Sequence, residues 1–110
     1  MTHPLRTSAA VLLFAAAALH IPALILAPSA QSLQMITAII LWAVLGLGVL
    51  LGSRGAAWLA FLGLLFGVAT TIYNALSVTG LLSTLFWAIF TIDVLALLAL
   101  IGVLWRNRTA

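Results

Sequence analysis

Residues 81–105 read LLSTLFWAIFTIDVLALLALIGVLW, and this stretch decides the class of fold. It is long enough to cross the apolar part of a bilayer as one helix, which takes about 20 residues. Its single charged residue is Asp93, near the middle. Three apolar runs of similar length precede it, at residues 7–26, 32–51 and 56–76. The sequence therefore predicts an all-α four-helix transmembrane bundle in which residues 1–110 form a single integral membrane domain.

The composition excludes most other classes of protein. The chain has 110 residues, of which 66% are hydrophobic and 5% charged, whereas soluble domains carry about 25% charged residues. This excludes an ordinary soluble enzyme, a disordered chain and a nucleic-acid-binding protein. The sequence contains no cysteine, which excludes disulfides, thiolate metal sites and iron–sulfur clusters. We expect no enzymatic activity, no cofactor, no bound metal and no nucleic-acid partner.

The breaks between the apolar runs carry turn residues. Residues 27–31 include Pro28, and residues 52–55 and 77–80 each include glycine. Pro and Gly interrupt helices most strongly, and connections this short join helices that pack side by side and antiparallel. A signal peptide is the alternative for the first run, because Arg6 precedes it, and cleavage would leave three spans. The length of the run and the position of Pro28 favour a span.

Arginine determines the predicted orientation. In a chain with four spans, all the cationic side chains fall on one side, at Arg6, Arg54, Arg106 and Arg108. Cytoplasmic loops are enriched in Arg and Lys, so both termini are predicted to be cytoplasmic. Trp58 and Trp105 fall at the same boundary, where interfacial tryptophans are common. We expect a multi-pass protein of the plasma membrane, the inner membrane of a bacterium, with the lipid bilayer as its surroundings.

Helical periodicity separates small residues from polar ones on the second and third helices. Thr70 and Asn74 lie at the outer end of the third helix, and Gln34 and Thr37 at the outer end of the second. Small residues let membrane helices approach closely, inside the monomer or, alternatively, across a homodimer seam. The predicted helix-packing residues are Gly48, Gly52, Gly63 and Gly67. The pattern predicts a bundle that is tight on the cytoplasmic side and looser and more polar on the outer side.

Asp93 is the only acidic residue of the chain. An aspartate at the centre of a bilayer costs roughly 2.5–3.5 kcal/mol, and such a residue normally has a partner inside the bundle. At 1.5 Å per residue, Asp93 lies about 18 Å from the inner boundary and His20 about 20 Å. Thr70 reaches nearly the same depth, at about 21 Å. We therefore expect these side chains to meet at one level of the bundle.

Two interpretations of this level remain open. In the functional one, a buried Asp–His pair holds a proton or binds a cationic or hydrogen-bonding ligand. In the structural one, Asp93 is neutral and bonds a neighbouring helix, while His20 bonds backbone that Pro22 leaves free. The predicted ligand- or proton-binding candidates are Asp93, His20, Thr70, Asn74, Gln34 and Thr37.

The size and four-span layout resemble those of the small multidrug resistance transporters and of the DoxX-like group of small four-helix membrane proteins. The transporters rely on a glutamate in the first helix, which this chain lacks, and the second resemblance rests on architecture without a motif. Neither resemblance transfers a function. We predict a non-enzymatic accessory or scaffold subunit of a larger membrane complex, or a homo-oligomer. The alternative is a small transporter or proton-coupled carrier that uses Asp93 and His20 and opens to the outer side.

Overall fold

The structure, a computed structural model, describes residues 4–26 and 32–106. Within these ranges it contains four α-helices, namely α1 Pro4–Leu26, α2 Ser32–Leu50, α3 Arg54–Ser77 and α4 Gly80–Ile101. After α4 the chain continues as a π-helix, Gly102–Arg106. Each α-helix is long and apolar enough to cross a membrane, which confirms the prediction of an all-helical chain with four helices of spanning length. The predicted loop 27–31, Arg108 and the side chain of Arg106 lie outside the described residues.

The helix ends follow from local capping chemistry. The first helix begins at Pro4, before the predicted run, because proline is well suited to the first position of a helix. The third begins at Arg54 rather than at residue 56 because Ser53 caps it. The Ser53 hydroxyl accepts a hydrogen bond of 3.1 Å from the backbone N–H of Ala56, the usual arrangement at a helix N-terminus.

The end of α2 is a Schellman motif that brings α2 and α3 close together. Gly52 has a φ of +92°, and the N–H groups of Gly52 and Ser53 donate to the carbonyls of Val49 and Gly48, at 3.0 and 2.9 Å. A Cβ on Gly48 would lie only 2.6 Å from the Cβ of Ala56. Gly48 therefore allows the two backbones to approach. Gly52 lies in the turn after α2, where its positive φ favours glycine.

Side-chain contacts show which helix ends meet. Arg6 of α1 lies beside the turn that follows α2. The Nη2 of Arg54 donates a hydrogen bond of 2.7 Å to the carbonyl of Leu104 in the π-helix. The ring of Trp105 packs edge-on against Trp58, with ring centroids 5.2 Å apart. These residues lie at one end of the bundle, which we call the arginine end.

The core is divided into two apolar clusters by a layer of buried polar side chains. The larger cluster, towards the arginine end, includes Leu13, Trp42, Leu64, Ala96 and Leu100. The smaller cluster consists of Ala23, Met35, Ala75, Phe86 and Ile89. Between the two clusters along α1, α3 and α4 lie the buried polar residues His20, Thr71, Asn74 and Asp93. The candidate site belongs to this polar layer.

Candidate functional site

A cavity of about 540 Å³ opens between α2 and α3. Its volume falls within the range of small-molecule pockets, about 300–1,000 Å³. The two helices supply most of its walls, while α1 contributes His20 and α4 contributes Phe86 and Asp93. The helices α2 and α3 contact each other less than the other neighbouring helices do. This leaves room for the cavity between them. The remaining lining residues are Leu33, Gln34, Met35, Thr37, Ala38, Leu41, Trp42, Gly63, Phe66, Gly67, Thr70, Thr71 and Asn74.

All six predicted binding candidates line this cavity: Asp93, His20, Thr70, Asn74, Gln34 and Thr37. His20, Asn74 and Asp93 are buried and form its inner wall. Thr70 is half-buried, and Gln34 and Thr37 are exposed and mark its mouth. The structure thus brings together side chains that the sequence places on four different helices. Their role in binding remains a prediction.

Asp93 is buried, and within the described ranges one of its oxygen atoms lacks a hydrogen-bond partner. The residue is 1% exposed, and its Oδ1 makes no hydrogen bond with the described residues. Gly67 of α3 faces the other oxygen atom, Oδ2. No Lys or Arg is found among the described residues that line the cavity. A buried acceptor without a hydrogen bond costs about 1–3 kcal/mol, so Asp93 lowers the stability of the bundle unless a partner binds to it.

His20 forms a hydrogen bond with its own helix. Its Nδ1 lies 2.6 Å from the carbonyl oxygen of Ala16, so Nδ1 donates and the Nε2 of a neutral ring is left as an acceptor. Among the described residues, no hydrogen bond joins His20 to the Oδ1 of Asp93. The bond to Ala16 supports the interpretation in which His20 bonds the backbone of its own helix. The acceptor differs from the expected one, because Pro22 frees the carbonyl of Ala18 and not that of Ala16. Asp93 and His20 therefore line the same cavity, but in the described residues His20 makes no hydrogen bond to the Oδ1 of Asp93.

The threonines of the polar layer direct their hydroxyl protons back into α3. The hydroxyl groups of Thr70 and Thr71 donate to carbonyls one turn earlier, at 2.9 and 2.7 Å. Such bonds use the hydroxyl proton and leave the oxygen atom as an acceptor. Neither threonine therefore donates to Asp93, and no bond from Thr70 supports the interpretation of Asp93 as interhelical glue. Asn74, which is 4% exposed, contributes an amide with both donors and acceptors.

Trp42 forms the wall of the cavity nearest the arginine end, and sequence reasoning did not include it in the site. Its side chain is 4% exposed. Cβ atoms built on Gly63 and Gly67 would lie 3.2 and 3.6 Å from its indole ring. These glycines thus accommodate an indole of the same chain, which favours the intramonomer interpretation of their spacing. The sequence signal for this wall was a pair of glycines one turn apart on the facing helix. Three other lining residues were also absent from the predicted candidates: Thr71, Phe66 and Phe86.

Comparison with protein-family models, with curated proteins and with solved structures finds no match to this chain.

Proposed function

We propose that this chain is a small membrane carrier that binds a small ligand at Asp93, in the cavity between α2 and α3. The observation that supports this most is the buried Oδ1 of Asp93, which has no hydrogen-bond partner among the described residues. A bilayer position costs an aspartate roughly 2.5–3.5 kcal/mol, whereas an interhelical hydrogen bond contributes about 0.6 kcal/mol on average. Because Oδ1 makes no such bond with the described residues, interhelical hydrogen bonding does not explain why an aspartate is buried here.

A single carboxyl group can couple ligand binding to proton binding. Asp93 can carry a proton or face a cationic group but not both, so proton and cation compete for it. His20 is the second titratable side chain of the cavity wall. We therefore propose a proton-coupled carrier. The proposal needs no making or breaking of a covalent bond in the ligand.

We also infer that neighbouring helices run antiparallel and that both termini are cytoplasmic. Arg54 at the start of α3 contacts Leu104 beyond the end of α4, and Ser83 near the start of α4 bonds Ala75 near the end of α3. Arg6 at the start of α1 also lies beside the turn after α2. The positive-inside rule assigns the arginine end to the cytoplasm. The cavity then faces the outer half of the bilayer.

An accessory subunit or a homo-oligomer is the second candidate function. A smaller share of α2 and α3 is buried than of α1 and α4, so a helix from another chain has room to cover the cleft between them. That helix would then supply the hydrogen bond that Oδ1 of Asp93 lacks. The two candidates differ in what binds at Asp93, a polypeptide or a small molecule.

Native mass spectrometry of the protein released directly from its own membranes distinguishes these candidates. The variant to compare is Asp93→Asn, which keeps the size of the side chain and removes its charge. The matched control is Thr91→Val, because Thr91 is an exposed residue of the same helix whose hydroxyl group donates to the carbonyl of Trp87. We expect the wild type and Thr91→Val to carry a small molecule that Asp93→Asn lacks. A second polypeptide bound in its place, or a wild type with nothing bound, contradicts the proposal.

A further inference from the structure

We propose that the ligand is an amphipathic organic monocation, with an ammonium head group on an apolar or aromatic body, and that it reaches the cavity from within the bilayer. This inference rests on the proposed function, because it names the class of molecule that the cavity binds. Four features carry it: the charge of the lining, its hydrogen-bonding character, its aromatic walls and the position of its mouth.

The charge of the lining favours a cation. Asp93 is the sole acidic residue of the chain, and the described lining includes no Lys or Arg. An anionic ligand would meet the carboxyl group with no cationic side chain to offset it. A hard divalent metal ion prefers six or more oxygen ligands, often from several carboxylates, and the described residues contain no group of three His, Cys, Asp or Glu. One carboxylate matches one positive charge.

The polar atoms of the inner wall are mostly acceptors. Oδ1 of Asp93 has no hydrogen-bond partner in the described part of the chain, and the Nδ1 proton of His20 is used by Ala16, which leaves Nε2 as an acceptor. The hydroxyl protons of Thr70 and Thr71 are used by α3 itself. The amide of Asn74 adds donors as well as an acceptor to this wall, and the excess of acceptors suits a ligand with several donors. A primary ammonium group, with three N–H donors, has that character.

Aromatic walls fit the body of such a molecule. Trp42, Phe66 and Phe86 all line the cavity. Indole is the aromatic ring that attracts cations most strongly, through its negative face. A cavity of about 540 Å³ is far larger than a bare ion needs, and pockets of this size hold molecules with a substantial apolar part.

The mouth of the cavity faces the lipid. It lies between two helices that are each long and apolar enough to span the membrane. Beside the polar Gln34 and Thr37, Leu33 on α2 and Phe66 on α3 line it and are 75% and 76% exposed. In a bilayer these side chains contact acyl chains, so a ligand that enters between them must already be dissolved in the membrane. An amphipathic cation meets this requirement, whereas a small hydrophilic cation does not.

Three probes with the same phenylbutyl body test the head group. Phenylbutylammonium, phenylbutanol and phenylbutyrate are titrated by calorimetry into the purified full-length protein in detergent. We expect the ammonium to bind about tenfold or more tightly than the alcohol, and the carboxylate to bind weakest. Asp93→Asn should remove the preference for the ammonium, while Asp93→Glu and the control Thr91→Val should retain it. Circular dichroism establishes that each variant is folded.

Equal affinity for the alcohol, tighter binding of the carboxylate, or a preference for the ammonium that survives in folded Asp93→Asn would overturn the inference. These failures are distinguishable from failure of the carrier proposal. If a native small molecule binds in an Asp93-dependent way but carries no positive charge, the proposed cationic ligand is refuted. The carrier proposal is then unaffected. In the opposite case, ammonium binding depends on Asp93 in calorimetry, but native mass spectrometry finds a polypeptide at this site. That result supports the preference for a cation and refutes the carrier proposal.

Discussion

Gly67 on α3 faces Asp93 on α4 so closely that a Cβ on the glycine would lie 3.7 Å from the Oδ2 of the carboxyl group. That spacing is ordinary van der Waals contact, so the glycine keeps open a space beside the carboxyl group that a methyl group would fill without strain. The same Cβ would lie 3.6 Å from the indole of Trp42. Gly67 therefore stands where the carboxyl group and the aromatic wall of the cavity meet.

Gly67→Ala should separate binding from stability. Glycine inside a helix is about 0.5–1 kcal/mol less favourable than alanine, so the variant should be at least as stable as the wild type. The added methyl group occupies space beside Asp93, and phenylbutylammonium should bind more weakly. Thermal unfolding and calorimetric titration of the same sample measure both effects. Unchanged affinity in a stable variant would place the ligand away from this part of the cavity.

Gly48→Ala should lower the free energy of unfolding. The new Cβ would lie 2.6 Å from the Cβ of Ala56, so the backbones of α2 and α3 must move apart, and such overpacking costs about 1–3 kcal/mol. Gly55→Ala is the matched control, because a Cβ there would lie 3.8 Å from the Ser53 hydroxyl oxygen, an ordinary van der Waals distance. Unfolding in a denaturing detergent compares the two variants. Equal stability would show that the α2–α3 turn adapts without cost.

Single cysteines test the orientation of the bundle. The chain has no cysteine of its own, so Gly55→Cys and Thr79→Cys each introduce the sole thiol. Gly55 is exposed at the start of α3, and Thr79 precedes α4 with a side chain that makes no capping bond. A maleimide that cannot cross membranes should label Thr79→Cys in intact cells and Gly55→Cys only after the cells are opened. The reverse pattern would invert the assignment of the arginine end.

Cation binding should weaken as the pH falls from neutral to weakly acidic. Protons and the ammonium compete for Asp93, and protonation of His20 would add a like charge on the α1 side of the cavity. The described lining residues of α2 and α3 include no titratable group. The affinity of phenylbutylammonium, which stays charged over this range, is measured by calorimetry at several pH values. Affinity independent of pH would separate ligand binding from protonation of the carboxyl group.

Much of the architecture follows from the sequence because its determinants are local. Continuous apolar runs specify four helices, and the rise per residue correctly brings Asp93, His20 and Thr70 to one cavity. Gly52 and Ser53 act as a helix stop and a helix start, through a positive φ and a hydroxyl cap. These features depend on neighbours in the chain or on distance along one helix axis.

The partners inside the cavity depend on how each helix is rotated, and the sequence left that open. Trp42 lies against Gly63, and this closeness becomes visible only when α2 and α3 are placed together. The bonds of His20 and Thr70 to their own helix compete with any bond to Asp93. Short polar side chains in helices often bond the preceding turn in this way, so a partner on another helix could not be inferred from depth alone.

Infrared difference spectroscopy reports whether the carboxyl group of Asp93 contacts the ligand. Asp93 is the sole acidic side chain, so carboxyl bands that are present in the wild type and absent in Asp93→Asn report this residue alone. We predict that phenylbutylammonium shifts these bands in the wild type and in Thr91→Val. Binding of the ammonium without any change in the Asp93 bands would show that the carboxyl group does not contact the ligand.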